Sequence, residues 1–508
     1  AIQPVETEFG RKRQIDQSAC NKDFSCLKGF CPSFVTVRGG TLKKGQAVAD
    51  DGFDLPEPDK PALDDIYSVV ITGVGGTGVV TVGAILGMAA HLDGRGVGII
   101  DMAGLAQKGG AVVSHLKIAP TPEEISTIRV AAGHADLVIG CDIVVAGSQK
   151  VLGTMATGRT RAVVNTEEFY PGAFTHDADY SLPSRRIIRA IETALGDKAA
   201  FVEATKLATA LMGNSIAANM FMLGYAYQTG GIPLSLEAIE RAIELNGTAV
   251  DGNKKAFAWG RRAAIEPDTV REIARPKEAA LPWRDMAETL DDKIERRVAA
   301  LTAYQSKRYA NRYRKLVEKV RAAEAEKTPG LSGLAEAAAS YLYKLMAYKD
   351  EYEVARLFTD GGFQHQLDRQ FEGDYRLEFH LAPPMFAKTD PETGRLKKKV
   401  YGPGMMRWFR LLSRMKGLRG TPLDPFGRTS ERRTERALVK DYSGDIDTVV
   451  AGLTPDTHAV AVGLLSVPEK IRGYGPVKVA HLDTARADRE AFLKAFRDGG
   501  FQRAEAAE

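Results

Sequence analysis

Three cysteines, Cys20, Cys26 and Cys31, fall within twelve consecutive residues, and Pro32 follows the last of them. Thiolates are soft donors, so a group of this kind suits an iron-sulfur cluster or zinc. Zinc sites usually present Cys-x2-Cys pairs, whereas five and four residues separate the cysteines here, and a Cys-Pro ending is that of bacterial four-iron cluster runs. The pattern favours iron-sulfur, with zinc and unliganded thiols as the alternatives. A 4Fe-4S cluster takes four thiolates and this loop offers three, so a ligand must come from elsewhere. Cys141, between the apolar runs 137–139 and 143–145, reads instead as a buried thiol packed as a small hydrophobe.

A second candidate is Gly73-Val74-Gly75-Gly76-Thr77-Gly78, which follows the apolar run 68–71 and precedes a helical pattern. Glycines at these intervals permit a tight turn and close backbone approach, and the N-terminus of the helix beyond favours an anion. Asp101 ends the next apolar run where a ribose-binding acid would stand, which supports an NAD(P)-binding Rossmann dehydrogenase. The alternative is that the glycines allow close helix-strand packing or frame another ligand. Downstream, residues 106–115 read as a flexible polar loop at a strand end, which a plain dehydrogenase does not require. In that loop Lys108 could pair with a carboxylate or phosphate or be a solvated surface group, and His115 could titrate near neutrality or be structural. No residue stands out as a general acid or base.

The elements that must position these residues follow from composition and pattern. The chain has 508 residues, 44% hydrophobic and 26% charged, with a net charge of +4. That describes an ordinary globular chain of roughly three domains, neither disordered nor a disulfide scaffold, and nothing global demands nucleic acid or a membrane. Four cysteines fit metal chemistry in a reducing cytoplasm. The start at Ala1 reads as internal or processed, part of something larger. The uncharged stretches 66–90 and 207–236 are a strand-turn-helix and a buried helix, not membrane spans.

Residues 1–45 carry the cysteines, and the Pro- and Asp-rich 46–66 reads as a linker. Short buried strands at 68–71, 96–100, 137–139, 143–145 and 162–164, alternating with helices, predict an α/β domain with a largely parallel sheet over 67–262. Helices are predicted at 207–228 and 236–245, a linker at 263–284, one long helix over 291–326, and a mixed α+β C-terminal domain over 285–508 with strands at 459–464 and 477–482.

Taken together, the cysteine and glycine segments resemble the 2-oxoacid:ferredoxin oxidoreductases, and most closely the C-terminal part of the fused bacterial indolepyruvate ferredoxin oxidoreductases. Residues 10–37 look like the partial ferredoxin-like cluster segment of that fusion. Residues 67–262, with Gly73–Gly78, the Lys108-Gly109-Gly110 to Ser114 loop, Gly140-Cys141-Asp142 and Asn253–Arg261, look like its Rossmann-like gamma-type catalytic domain. Residues 285–500 look like the domain of unknown role that follows. The resemblance implies oxidative decarboxylation of an aryl 2-oxoacid to an acyl-coenzyme A, with thiamine diphosphate doing the carbon chemistry and iron-sulfur clusters passing electrons to ferredoxin. It makes Cys20, Cys26 and Cys31 cluster ligands, and Gly73, Gly75, Gly76, Gly78, Lys108, Gly109, Gly110 and Ser114 the lining of a cleft rather than an NAD site. The Gly-Asp-Gly and Asn-Asn signature of thiamine diphosphate and Mg2+ is missing from this sequence. Those cofactors are therefore expected on an N-terminal portion that partners this chain, which would not be active alone. A homo-oligomer is expected.

A local charge excess is the last feature. Residues 395–440 hold fourteen Lys and Arg against three acids, with Trp408 and Phe409 among them. Clustered cations with aromatics suit nucleic acid; the other readings are a plain surface face, or docking of an acidic ferredoxin or of coenzyme A phosphates.

Overall fold

The computed structural model of the chain describes residues 2–5, 7, 11–17, 20, 22–28, 33–43, 55–103, 110–170, 180–275, 289–382, 397–473 and 476–499. By their contacts they fall into two units, one drawn from 1–6, 11–21 and 44–280, the other from 7–10, 22–43 and 281–508. Near the start, β1 (Ile2–Val5) and β2 (Lys12–Ile15) pair antiparallel in the first unit, while β3 (Ser33–Arg38) and β4 (Thr41–Leu42) belong to the second.

The first unit is built on a six-stranded sheet of β5 (Tyr67–Val74), β6 (Gly96–Ala103), β7 (Ala111–Ala119), β8 (Leu137–Gly140), β9 (Arg161–Asn165) and β10 (Ala199–Val202), in the order β10-β9-β8-β5-β7-β6. The four strands from β10 to β5 are parallel, and β7 runs antiparallel to both β5 and β6. Side chains alternate between the two faces of each strand, so Val69 and Ile71 enter one core and Val70 the other. The helices are α1 (Val79–Leu92), α2 (Ile143–Ala146), α3 (Gln149–Leu152), α4 (Ser184–Leu195), α5 (Ala204–Met212), α6 (Ala218–Gln228), α7 (Leu236–Asn246), α8 (Val250–Ile265) and α9 (Pro267–Ile273). Helices α1 and α5–α9 contribute to the first core and α2–α4 to the second.

Several expectations change here. The 106–115 loop is in its second half the start of β7, where Val112, Ser114 and Leu116 are buried at period two. Residues 143–145 are helical, because Asp142 caps them by accepting a hydrogen bond from the Val145 N–H at 2.7 Å. The 207–228 helix is two helices, split where Gly213 takes a left-handed φ of 71° and Asn214 caps the next turn. The 263–284 linker holds the end of α8 and all of α9. From the 46–66 linker, the described residues 55–66 include a strap on α6 and α8: Tyr227 donates to Glu57 Oε2 at 2.6 Å, Gln228 to the Pro56 carbonyl at 2.7 Å, and Arg261 to the same carbonyl at 3.3 Å.

The second unit is mainly helical: α10 (Leu290–Tyr304), α11 (Lys307–Lys327), α12 (Leu334–Met346), α13 (Glu351–Thr359), α14 (Gly362–Gln370), α15 (Met405–Arg414), α16 (Ser430–Gly452), α17 (His458–Ser466) and α18 (Pro476–Arg497). Strands β11 (Phe371–Glu372), β12 (Arg376–Leu381) and β13 (Lys399–Tyr401) complete it, β11 pairing β4, and β12 lying between β13 and β3. The long helix expected over 291–326 breaks at Gln305-Ser306, where the Ser306 side chain caps α11. Both C-terminal strands are corrected to helix. In α17, Val460, Ala461, Leu464 and Leu465 are buried at helical spacing; a short apolar run does not separate strand from helix by itself. Residues 477–482 open α18 behind Pro476, a residue suited to the first turn of a helix.

The basic stretch is not one face. Arg419 is buried against Asp350, donating at 2.5 and 2.8 Å, and stacks on Tyr304 at 3.6 Å. Arg432 is buried with Glu435 at 2.8 Å and Glu351 at 3.4 Å. Burial of these two guanidinium groups removes them from any surface that could meet phosphates.

Candidate functional site

In α/β sheets ligands bind beyond the carboxyl ends of the parallel strands. Here β5, β8 and β9 end level with one another, Thr72 opposite Gly140 and Gly140 opposite Val164. Beyond β5 lies the glycine loop. Gly76 and Gly78 have φ of 87° and 96°, so only glycine is unstrained there. Gly73 serves packing: a Cβ on it would stand 2.8 Å from Val79 Cγ2 and 3.0 Å from Cys141 Cβ. Gly75 donates its N–H to the Gly110 carbonyl at 2.7 Å, and Asn219 donates to the Thr77 carbonyl at 2.7 Å. The loop opens α1 with no side-chain cap.

Beyond β8 come Cys141 and Asp142, and beyond β9 Asn165, Glu167 and Glu168. Cys141 is buried, and burial pushes its thiol up to about 12, so it stays protonated at neutral pH. The packed-thiol reading is right, although its flank is one strand and one helix. Asp142 also accepts from the Phe169 N–H at 3.3 Å. Burial raises its carboxyl to about 6, against its backbone hydrogen bonds and with a contribution from Glu168. Burial, with Asp142, Asp16 and Glu168 adding, raises Glu167 as well. Glu168 accepts from Tyr170 at 2.9 Å and from Ser184. Asn165 ties the edge together, donating to the Cys141 carbonyl at 3.0 Å and to Thr205 at 2.7 Å. The edge therefore offers an uncapped helix start beside a group of carboxylates, two of which take a proton more readily than free carboxylates.

Because Asp142 has a folded pKa above its unfolded one, it stabilises the fold below about pH 4, and that contribution is lost as pH rises through about 6. Asp142→Asn keeps an acceptor for the cap and removes the buried charge. Relative to wild type it should gain about 1–2 kcal/mol of stability between pH 4 and pH 7, read from denaturant midpoints at both pH values; a difference independent of pH would refute the burial argument.

Of the residues singled out from sequence, Gly73, Gly75, Gly76, Gly78 and Gly110 gather at this edge. Lys108 and Gly109 lie outside the described residues, as does Cys31. Ser114 is corrected: its side chain is fully buried, its Oγ 2.8 Å from where a Cβ on Gly83 of α1 would stand, so it packs beneath α1 and lines no open cleft. His115 is structural, its Nδ1 accepting from the Val130 N–H at 3.3 Å and its pKa lowered by burial and then by Arg129. Cys20 and Cys26 are both half-buried, in different units. Among the described residues no three His, Cys, Asp or Glu side chains form a metal site. Sequence reading missed Asn165, Glu167 and Glu168; a polar run directly after an apolar strand was the available signal.

Among the described residues the dinucleotide geometry is absent. Asp101 pairs with Ser114, which pairs with Ile71. It thus stands two strands from β5, about 10 Å away, because β7 occupies the position where a dinucleotide fold has its second parallel strand.

Residues 68–263 match a family model described as pyruvate ferredoxin/flavodoxin oxidoreductase, and residues 290–491 match a family of unknown function. The chain is 31% identical over 202 residues to the indolepyruvate oxidoreductase subunit IorB of Pyrococcus horikoshii, covering 39% of this chain and 96% of that protein. The chain belongs to the 2-oxoacid:ferredoxin oxidoreductase family. The IorB subunit of Methanothermobacter thermautotrophicus is 29% identical over 202 residues, covering 39% of this chain and 98% of its own. A crystal structure of pyruvate oxidoreductase subunit PORC from Thermotoga maritima aligns at 20% identity over 39% of this chain and 97% of that one, with a TM-score of 0.29. In this oxidoreductase the family match contains the whole six-stranded sheet except Tyr67 at the start of β5, together with the glycine loop and the carboxylate edge. No described helix is long and apolar enough to cross a membrane.

Proposed function

We propose that this chain is the part of an indolepyruvate-type, aryl 2-oxoacid:ferredoxin oxidoreductase that carries the gamma-type domain and a share of the iron-sulfur ligands. The observation that carries the reading is the match of the sheet unit to a relative named indolepyruvate oxidoreductase subunit along 96% of that relative. The reaction is oxidative decarboxylation of the 2-oxoacid to an acyl-coenzyme A, with electrons leaving singly to ferredoxin. Thiamine diphosphate and Mg2+ belong to a separate portion of the enzyme, since their signature is missing from these 508 residues. Residues 1–45 supply cluster ligands, 67–262 form the gamma-type domain, 285–508 form a further domain, and the assembly is a cytoplasmic homo-oligomer. Cys20, Cys26 and Cys31 fit an iron-sulfur cluster by donor chemistry, as a dense set of soft thiolates. Gly73, Gly75, Gly76, Gly78 and Gly110 line the face turned to the thiamine portion; Lys108 and Gly109, outside the described residues, are assigned to the same cleft by the family resemblance alone.

The NAD reading loses its support with Asp101 two strands from the loop, and the nucleic-acid reading loses its support with Arg419 and Arg432 buried in ion pairs. A Cβ on Gly75 would stand 3.2 Å from the Gly110 carbonyl and 3.3 Å from Val112 Cγ2, so a branched side chain must displace the loop. In the complete enzyme, assayed anaerobically with indolepyruvate, coenzyme A and ferredoxin, Gly75→Val should lower turnover about tenfold or more, the loss of about 1.4 kcal/mol. Wild-type turnover by Gly75→Val would count against the loop's place in the cleft. Saturable NADH binding that Asp101→Ala abolishes would restore the dehydrogenase.

A further inference from the structure

Some cations of α11 are matched by an acid and others are not. Arg314 is held by Glu295 at 2.6 and 2.7 Å, Lys319 by Asp447 at 2.7 Å, and Arg321 by Asp291 at 2.6 Å. Arg308, Arg312 and Lys315 have no carboxylate partner within 4.0 Å among the described residues. Spacings of four and three residues place these three on one helix face. With Asn311, Leu316 and Ser443 of α16 they line an open cavity of about 670 Å³ that contains no acidic side chain. Arg312 Nη2 donates to Ser443 Oγ at 3.3 Å, which tethers one guanidinium across the cavity.

Like charges three and four residues apart repel, and cations in the first turns of a helix oppose its dipole. Folding alone therefore gives no reason to gather Arg308, Arg312 and Lys315 here, when Arg314, Lys319 and Arg321 of the same helix are each matched by an acid and Lys327 by the Val450 and Ala451 carbonyls. A bound anion would reverse the sign of both terms. Arginine forks match phosphate oxygens in pairs, lysine adds a point charge, and the cavity is of the size that small ligands occupy.

We propose that this face of α11 and α16 is a binding site for a small phosphate-bearing anion, held by Arg308, Arg312 and Lys315 with Asn311 and Ser443 as neutral partners. The inference stands apart from the oxidoreductase reading, since the site lies wholly within residues 308–443 of the second unit.

The test is calorimetry on the full chain at fixed ionic strength with pyrophosphate, ATP and coenzyme A as separate probes. Saturable binding of pyrophosphate is expected, weakened at least tenfold in the Arg308→Gln/Arg312→Gln double variant and unchanged in Arg314→Gln. Tighter binding of ATP or coenzyme A than of pyrophosphate would show that the nucleotide part adds contacts, and equal binding that phosphate alone is read. No saturable binding of any probe at millimolar concentration, or binding that the double variant retains, overturns the proposal. Should the double variant fail to fold, Lys315 acylation decides: pyrophosphate should protect Lys315 against an amine-acylating reagent, and an unprotected Lys315 sinks the idea.

Discussion

Gly260→Ala should leave the sheet unit unable to hold its native packing. A Cβ on Gly260 would stand 1.9 Å from the Phe221 carbonyl oxygen, and one on Gly224 would stand 2.0 Å from the Phe257 carbonyl oxygen. Helices α6 and α8 thus touch backbone to backbone through reciprocal glycines, with no flexible side chain to yield. Admitting a methyl group means moving the helices apart by more than about 1 Å, which opens the packing of Phe221, Tyr227, Phe257 and Trp259, all essentially buried. Overpacking costs 1–3 kcal/mol in ordinary cores; with backbone on both sides we expect about 3 kcal/mol or more, a large share of a total near 5–15 kcal/mol. Gly252, on the same helix, is the control. A Cβ there meets nothing within 4 Å, so Gly252→Ala should raise stability by about 0.4–1 kcal/mol through the unfolded chain. Denaturant midpoints of the two variants should move in opposite directions; a Gly260→Ala protein as stable as wild type would mean that the helices are not in contact as described.

In the complete enzyme, Cys26→Ser should remove iron and acid-labile sulfide and lower ferredoxin reduction by more than about a hundredfold, beyond the 10- to 100-fold that altering an outer-shell partner costs. Cys20→Ser and Cys31→Ser should do the same, because a serine hydroxyl is a hard donor that does not replace a thiolate. Cys141→Ser separates ligand from packing. Its side chain is buried in the hydrophobic core of the sheet unit, so its loss should affect stability while leaving iron and sulfide in place. Iron, sulfide and zinc analysis of anaerobically prepared variants gives the answer, and stoichiometric zinc without sulfide in the wild type would rule the cluster out.

The parts of the fold visible in sequence were those whose signal is local. Strands at 68–71, 96–100, 137–139 and 162–164 carry β-branched or aliphatic runs, and a glycine loop between a strand and a helix needs no distant partner to be recognised. The errors cluster where the same local signal serves two structures. Ile143-Val144-Val145 could continue a sheet as readily as start a helix, and the Asp142 cap decides for the helix. Ala459–Leu464 has no polar side chain to mark its outer side, so its sequence lacks the periodicity that would distinguish the two, although Ala459 is exposed and Val460, Ala461 and Leu464 are buried. Placement of β7 between β5 and β6 was out of reach, since nothing local states which strand will fill a gap. For the site, the glycines were legible and the carboxylates were not: Glu167 gains its setting from Asp142 and Asp16, and Glu168 accepts from Ser184, all distant in sequence. Gly224 and Gly260 each look like a weak point in a helix until the other helix is brought against it.

Strand β3 has an unusual history during synthesis. Its partner β12 lies far downstream: Thr36 bonds Glu378, 342 residues later. At about 5–20 residues per second the ribosome needs roughly 17–70 s to supply that partner, and the whole sheet unit has emerged by then. The early strand must wait as an open edge while the sheet unit is made, so the second unit can close only after β12 has been made. Any stop or cleavage between residues 275 and 371 would leave β3 and β4 permanently without β12 and β11, an exposed edge of the kind that other chains pair with.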